Sequence, residues 1–115
     1  MKLENRRWST RIKQNLSLRY RAASMQFQTG RLINLSYSGA RLLVSRREAE
    51  AGPFLQLQLE LSNGEVVKVT ARQMWQTEAG ADTVVVGVRF HQADTKAKAQ
   101  LADWIANCMW TEYAA

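Results

Sequence analysis

The sequence predicts an all-β domain, a small antiparallel barrel of six or seven strands with one helix at its C-terminal end. Three observations predict it. Short segments alternate apolar and polar residues from Leu16 to Phe90, with turn residues between them. The connections are too short for the crossover helices that parallel strands need, which leaves antiparallel pairing. From Thr95 the apolar spacing changes from two residues to the three and four of a helix. Six or seven short strands and one amphipathic helix are the parts of a small barrel with one opening covered.

In chain order, residues 1–15 are polar and charged without a sustained period and read as a flexible arm. Leu16, Leu18 and Tyr20 alternate with polar neighbours, and Met25 and Phe27 repeat the pattern. Residues 31–35 and 40–44 are apolar stretches flanking a Ser-Tyr-Ser-Gly turn. After Gly52-Pro53 comes a strand with Leu55, Leu57, Leu59 and Leu61 on one face. Ser62-Asn63-Gly64 marks a hairpin, because Asn and Gly tolerate positive φ. A long strand over 65–76, a turn at Gly80 and the run VVVGVRF over 84–90 complete the barrel, assigned to residues 16–92. The remaining residues, 93–115, form the helix, with Thr95 as N-cap and Ala97, Leu101, Trp104, Ile105 and Cys108 on its apolar face.

Composition narrows the function. At 115 residues and 46% apolar content the chain suits one packed domain. No apolar run approaches the ~20 residues of a membrane span, and the N-terminus lacks the apolar stretch of a secretory signal. One Cys and one His make a metal site unexpected, and a single Cys suits the reducing cytoplasm. No Gly-x-Ser-x-Gly, His-Glu-x-x-His or phosphate-loop signature is present, and a lone His91 at a strand end is no catalytic constellation. The expectation is a cytoplasmic protein that is not an enzyme.

The formal charge of +6 is concentrated at one end. Residues 1–21 hold seven basic side chains against Glu4 alone, while the other 94 hold nine of each sign. A basic arm on a neutral body suits an anionic partner or serves as a solubilising tail. Within it, Arg7 and Arg11 stand four apart with Arg6 adjacent. Guanidinium forks match phosphate oxygens and the O6/N7 edge of guanine. A second segment, Asn34-Leu35-Ser36-Tyr37-Ser38-Gly39, lies between two apolar strands. With Leu35 turned inward, Asn34 and Ser36 share the outer face and offer an amide and a hydroxyl to a ligand. Gly39 allows a tight turn or the close approach of a ligand to the backbone. Taken alone, this hexapeptide also reads as an ordinary polar turn.

Together the two segments resemble the signature of the PilZ domain family, R-x-x-x-R followed some 20–30 residues later by D/N-x-S-x-x-G. RWSTR at 7–11 and NLSYSG at 34–39 match both halves, and the likeness runs from Arg6 to about Trp104. GRLINLSYSGARLLV resembles the family's second and third strands, Arg72-Gln73-Met74-Trp75 its strand-terminal tryptophan and Gly87-Val88-Arg89-Phe90 its Gly-x-x-Phe strand.

The resemblance implies a split six-stranded antiparallel barrel that binds cyclic di-GMP. Arg7 and Arg11 would contact phosphates and guanines, and Arg6 would accompany two stacked messenger molecules. Asn34 would meet a guanine edge, Ser36 a phosphate or its water, and Gly39 would leave room. Asn34 stands where many members carry Asp, so it offers guanine one acceptor and no charge. Trp8 can stack on a base or pack on the barrel; Trp75 can lie near the ligand or inside the core. No cofactor beyond the messenger is implied. The expected mechanism is an arginine loop that orders on the ligand and alters contacts with an unidentified effector protein. Two rival readings remain: an adaptor of the same fold without ligand, and a nucleic-acid-binding barrel. The second is disfavoured by the neutral body and by aromatics expected at inward positions.

Overall fold

Alternation in the sequence becomes pairing around a ring. In a computed structural model, which describes residues 12–22, 25–61 and 64–114, the chain forms β1 (Ile12–Arg21), β2 (Gln28–Leu35) and β3 (Gly39–Ser45), then α1 (Arg46–Glu50). It continues through β4 (Phe54–Glu60), β5 (Val66–Glu78), β6 (Thr83–Gln92) and α2 (Thr95–Ala114). The strands close into a barrel in the order β1-β2-β3-β6-β5-β4, every pair antiparallel. β4 pairs β1 only over residues 56–59, and the outer half of β5 pairs only β6, so the β5–β6 hairpin projects from the ring.

The inward faces follow the two-residue period. Leu55, Leu57 and Leu59 of β4 meet Val67, Val69 and Ala71 of β5, and Leu42 and Val44 of β3 meet Val84 and Val86 of β6. β2 departs from strict alternation. Its pairing with β3 shifts between Leu32 and Asn34, so Leu32 and Leu35 are both fully buried while Ile33 is exposed. Tyr20 crosses the interior and accepts a hydrogen bond from the Ser45 backbone N–H at 2.6 Å. Its ring fills the space over Gly30, where a Cβ would lie 2.8 Å from Tyr20 Cε1.

β1 begins at Ile12, inside the segment read as a flexible arm, so the barrel starts four residues earlier than the sequence suggests. Two further features also differ from the sequence expectations. The N-cap of α2 is Asp94 and not Thr95, because Asp94 Oδ1 accepts the Ala97 N–H at 2.7 Å and Asp94 O accepts the Lys98 N–H. Ala97, Leu101, Trp104 and Ile105 do form the buried face; the Cys108 side chain lies outside the described residues, as do Ser62 and Asn63. The second of these is α1, which no apolar period announces. Its signal is Ser45-x-x-Glu48, half of a capping box: Ser45 Oγ accepts the Glu48 N–H at 3.2 Å. Glu48 does not reach back to Ser45. Its carboxylate, only 5% exposed, accepts the Ala22 N–H at 2.6 Å and the Gln28 side-chain amide at 3.0 Å. A five-residue helix thereby anchors both ends of the β1–β2 connection.

β3 and β6 meet at closest range around Gly39. A Cβ there would fall 2.2 Å from the Val88 carbonyl oxygen and 3.3 Å from Arg89 Cα. The glycine is required by a neighbouring backbone, which cannot step aside as a side chain can.

Two outcomes follow. Glu48→Ala leaves buried donors without an acceptor and is expected to cost about 1–3 kcal/mol in urea denaturation. An unchanged midpoint would show that the carboxylate is dispensable. Gly39→Ala is expected to lose about 1–3 kcal/mol through overpacking. Gly52→Ala, where no atom lies within 4 Å of the added carbon, should stay within about 0.5 kcal/mol of the parent.

Candidate functional site

The Asn34–Gly39 segment forms the end of β2, a tight turn and the start of β3. The turn closes on itself. Gly39 O accepts the Ser36 N–H at 2.8 Å and the Ser36 hydroxyl at 3.1 Å, while Ser36 Oγ accepts the Gly39 N–H at 3.2 Å. Ser38 O then accepts the Phe90 N–H at 2.8 Å and ties the turn to β6.

This arrangement changes what each polar side chain offers. Leu35 pairs with Ala40 and points inward, as the alternation requires. Asn34 pairs with exposed Arg41 across β2–β3, yet is only 7% exposed; Ser36 is 3% exposed and lies in the turn rather than on the strand. The two do not form the open wall of amide and hydroxyl that simple alternation suggests. Ser36 has one hydroxyl hydrogen, committed to Gly39 O. Donation to a phosphate requires that hydrogen to swing away, while the Ser36 N–H keeps Gly39 O satisfied.

A cross-strand row starts at Asn34. Asn34 pairs with Arg41, Arg41 with Gly87, and Gly87 with Trp75. Trp75 is 43% exposed and lies outside the barrel, which removes its reading as a core residue. Its indole covers Gly87 so closely that a Cβ there would sit 2.2 Å from Cε2. The Arg41 guanidinium stands 5.4 Å from the indole centroid, a cation–π contact. In the next row Gly39 pairs with exposed Arg89. A shallow cavity of about 230 Å³ joins the rows, with Ser38, Gly39, Met74, Trp75, Gly87 and Arg89 in its lining.

Arg41 and Arg89 were not singled out by the sequence. Their signal is parity: both stand an even number of residues from a glycine on the same outer face, Arg41 from Gly39 and Arg89 from Gly87. The inward placement expected for the aromatics also fails. Among the described residues only Tyr20 and Trp104 are buried, while Tyr37, Phe54 and Trp75 are exposed. Two of the exposed rings have partners on the outside: Arg41 on Trp75, and His91 on Phe54 at 5.1 Å between centroids.

Arg6, Arg7, Trp8 and Arg11 lie outside the described residues. The first described residue, Ile12, pairs with Leu35, and Lys13 pairs with Asn34. Among the described residues no group of three His, Cys, Asp or Glu side chains is arranged to hold a metal ion, and no helix is long and apolar enough to cross a membrane.

Comparison with solved structures finds the same barrel elsewhere. The PilZ domain of YcgR from Escherichia coli, solved with cyclic di-GMP, superposes with a TM-score of 0.73 at 19% identity, covering 93% of this chain and 94% of that one. YcgR in complex with cyclic di-GMP gives 0.75 at 20% identity over 95% of this chain, which spans 48% of it. The Bacillus subtilis inhibitor of motility (MotI/DgrA) gives 0.71 at 11% identity over 92% of this chain and 51% of its own. The chain thus spans about half the length of these two larger proteins. No functionally curated protein matches the sequence. The model of the PilZ domain family matches residues 5–107, a span that takes in both signature segments, all six strands and most of the final helix. The chain therefore belongs to the PilZ domain family.

Proposed function

We propose that this domain is a cyclic di-GMP receptor that carries out no chemistry of its own, working in the cytoplasm. The observation that carries the reading is the register of β1. Ile12 opposite Leu35 and Lys13 opposite Asn34 bring the chain onto the barrel beside the NLSYSG turn. Arg11 is bonded to Ile12, and Arg7 is five residues away, within roughly 17 Å even for an extended chain. Both arginines of the signature can reach the turn that forms its other half. The family match across 5–107 and the cyclic di-GMP complexes of YcgR support the same ligand.

In this reading Arg7 and Arg11 grip the phosphates and guanine edges, and Arg6 brings a third guanidinium for a second, stacked messenger. Gly39 acts by letting β3 lie against β6, which sets the turn, rather than by clearing space for the ligand. Asn34 and Ser36 supply hydrogen bonds at the margin of the turn, Ser36 by rotating its hydroxyl. Arg41 on Trp75 provides a planar cationic shelf for a purine, and Arg89 lies one row away. Trp8 is left as a stacking residue of the arm.

Each arginine–phosphate bond nets about 1.5–3 kcal/mol, against roughly 1–2 kcal/mol for each residue that becomes ordered. The difference suits affinity in the micromolar range or somewhat tighter. The arginine segment orders on the messenger and changes the surface met by an effector protein.

Isothermal titration with cyclic di-GMP, and with GTP as control, tests the reading. Binding of the dinucleotide alone is expected, with Arg7→Ala and Arg11→Ala each weakening it by roughly tenfold or more, equivalent to about 1.4 kcal/mol. Wild-type affinity in both variants would overturn the site. The molar ratio from the same titration decides whether Arg6 serves a second molecule.

A further inference from the structure

The 94 residues after Arg21 are neutral in sum, yet their charges are polarised in space, and Arg19 and Arg21 of β1 add to the basic side. On the outer wall of β1, β4, β5 and β6, three adjacent cross-strand rows carry Arg19, Arg21, Lys68, Arg72 and Arg89. No carboxylate stands among them. Their other members on these strands are Gln56, Gln58, Thr70, Gln92 and Phe54, all of them uncharged. The acids with described side chains lie elsewhere: Glu78 and Asp82 on the β5–β6 hairpin, Glu60 and Glu65 at the β4–β5 connection, Glu48 and Glu50 on α1, and Asp94 and Asp103 at the start of and along α2. Beside these rows a cleft of about 900 Å³ opens between the wall and the first turns of α2. Among the described residues, Arg21, Lys68, Arg89 and Lys98 line it against the single acid Asp94, which is already engaged as the helix cap.

We infer that this cleft is a docking site for an acidic segment of a partner protein. Charge complementarity is the first argument. Four cations and one capping acid in one cleft attract a chain of carboxylates and repel basic surfaces. Size is the second. The rows from Lys68 to Arg72 extend four residues along β5, roughly 13 Å at the rise of a strand. That length exceeds a single phosphate and suits several carboxylates in succession. Gln56 and Gln58 offer amides for the backbone of such a segment.

The aromatic rings decide between a polypeptide and a nucleic acid. Single-stranded nucleic acids gain roughly 1–3 kcal/mol per base by stacking on aromatic faces. Here the rings near the wall are already covered. Arg21 stands 4.5 Å over Phe27, and His91 packs on Phe54 at an interplanar angle of 53°. Arg21 also donates to Gln56 Oε1 and Met25 O, which fixes it over its ring. Of the other rings that line the cleft, Phe90 is half-buried against the core, which leaves Tyr37 as the exposed phenyl-type ring among the described residues. Cations with capped aromatics recognise carboxylates better than bases.

The docking claim does not depend on the messenger, and the two can fail separately. The test uses the full chain and a fluorescent peptide of alternating Glu and Ser, followed by anisotropy, with a labelled oligothymidylate as the second probe. The double variant Lys68→Glu/Lys98→Glu is expected to weaken peptide binding by roughly tenfold or more. Arg47→Glu/Lys96→Glu, which makes the same charge change at exposed positions outside the cleft, is expected to weaken it far less. Lys68→Gln/Lys98→Gln removes the charges without reversing them and should shift affinity in the same direction by a smaller factor, which keeps the test intact should the reversal unfold the chain. Affinity for cyclic di-GMP should stay unchanged in every variant. Equal losses in the cleft and control variants would reduce the effect to overall charge and overturn the proposal. Tighter binding of the oligothymidylate, lost in the cleft variant, would overturn it in favour of a nucleic-acid site.

Discussion

The contact between the Asn34–Gly39 turn and the backbone of β6 holds the candidate site together. The turn is closed by the Ser36 hydroxyl, tied to β6 through Ser38 O and the Phe90 N–H, and seated by a glycine that leaves space for the Val88 carbonyl. Because β3 lies this close to β6, the row from Asn34 through Arg41 and Gly87 to Trp75 is continuous across four strands. A bulkier residue at position 39 would separate β3 from β6 and divide that row. The polar motif and the barrel closure are thus one structural feature, which is why a hexapeptide that reads as an ordinary turn also carries half of the family signature.

The outer wall divides into two chemistries on either side of this turn. Toward β2 and β3 are the buried Asn34 and Ser36 and the Arg41–Trp75 pair. Toward β4 and α2, Tyr37 and Ser38 form part of the rim of the cationic cleft. A ligand that engages one side of a turn fixed by hydrogen bonds to β6 acts on the same residues that border the other. Under the proposed function, this shared element offers a physical route from the messenger to a partner, through the surface on the far side of the turn.

Much of the architecture was legible because burial imposes its period on the chain. Leu55, Leu57 and Leu59 could be assigned to the core by alternation, and Ala97, Leu101 and Trp104 by helical spacing. Alternation misled where a strand broke phase: the irregularity in β2 buries Leu32 and Leu35 three residues apart, and tertiary contacts cover Asn34 although its parity points outward. The exposed aromatics were misplaced for a related reason. Hydrophobicity alone sends Trp75 and Phe54 inward, whereas Gly87 provides an external seat for the indole and cations or His91 cover the rings. Charge sums concealed part of the cationic wall, since Lys68, Arg72 and Arg89 are among the nine bases cancelled against nine acids and a sum says nothing about where each lies in space. Glu48 shows the same limit. Its capping spacing with Ser45 is local and readable, but its bonds to Ala22 and Gln28 span 26 and 20 residues and exist only in the folded barrel.

The account rests on a dinucleotide held where the arginine segment meets the Asn34–Gly39 turn. A titration of ¹⁵N-labelled protein with cyclic di-GMP, followed by amide and indole resonances, reads that location directly. The account predicts large shifts at Asn34, Ser36, Gly39, Arg41 and the Trp75 indole N–H, with little change at Glu48, Lys68 or Lys98. Shifts confined to the cleft beside α2, or a spectrum that the messenger leaves unaltered, would contradict it.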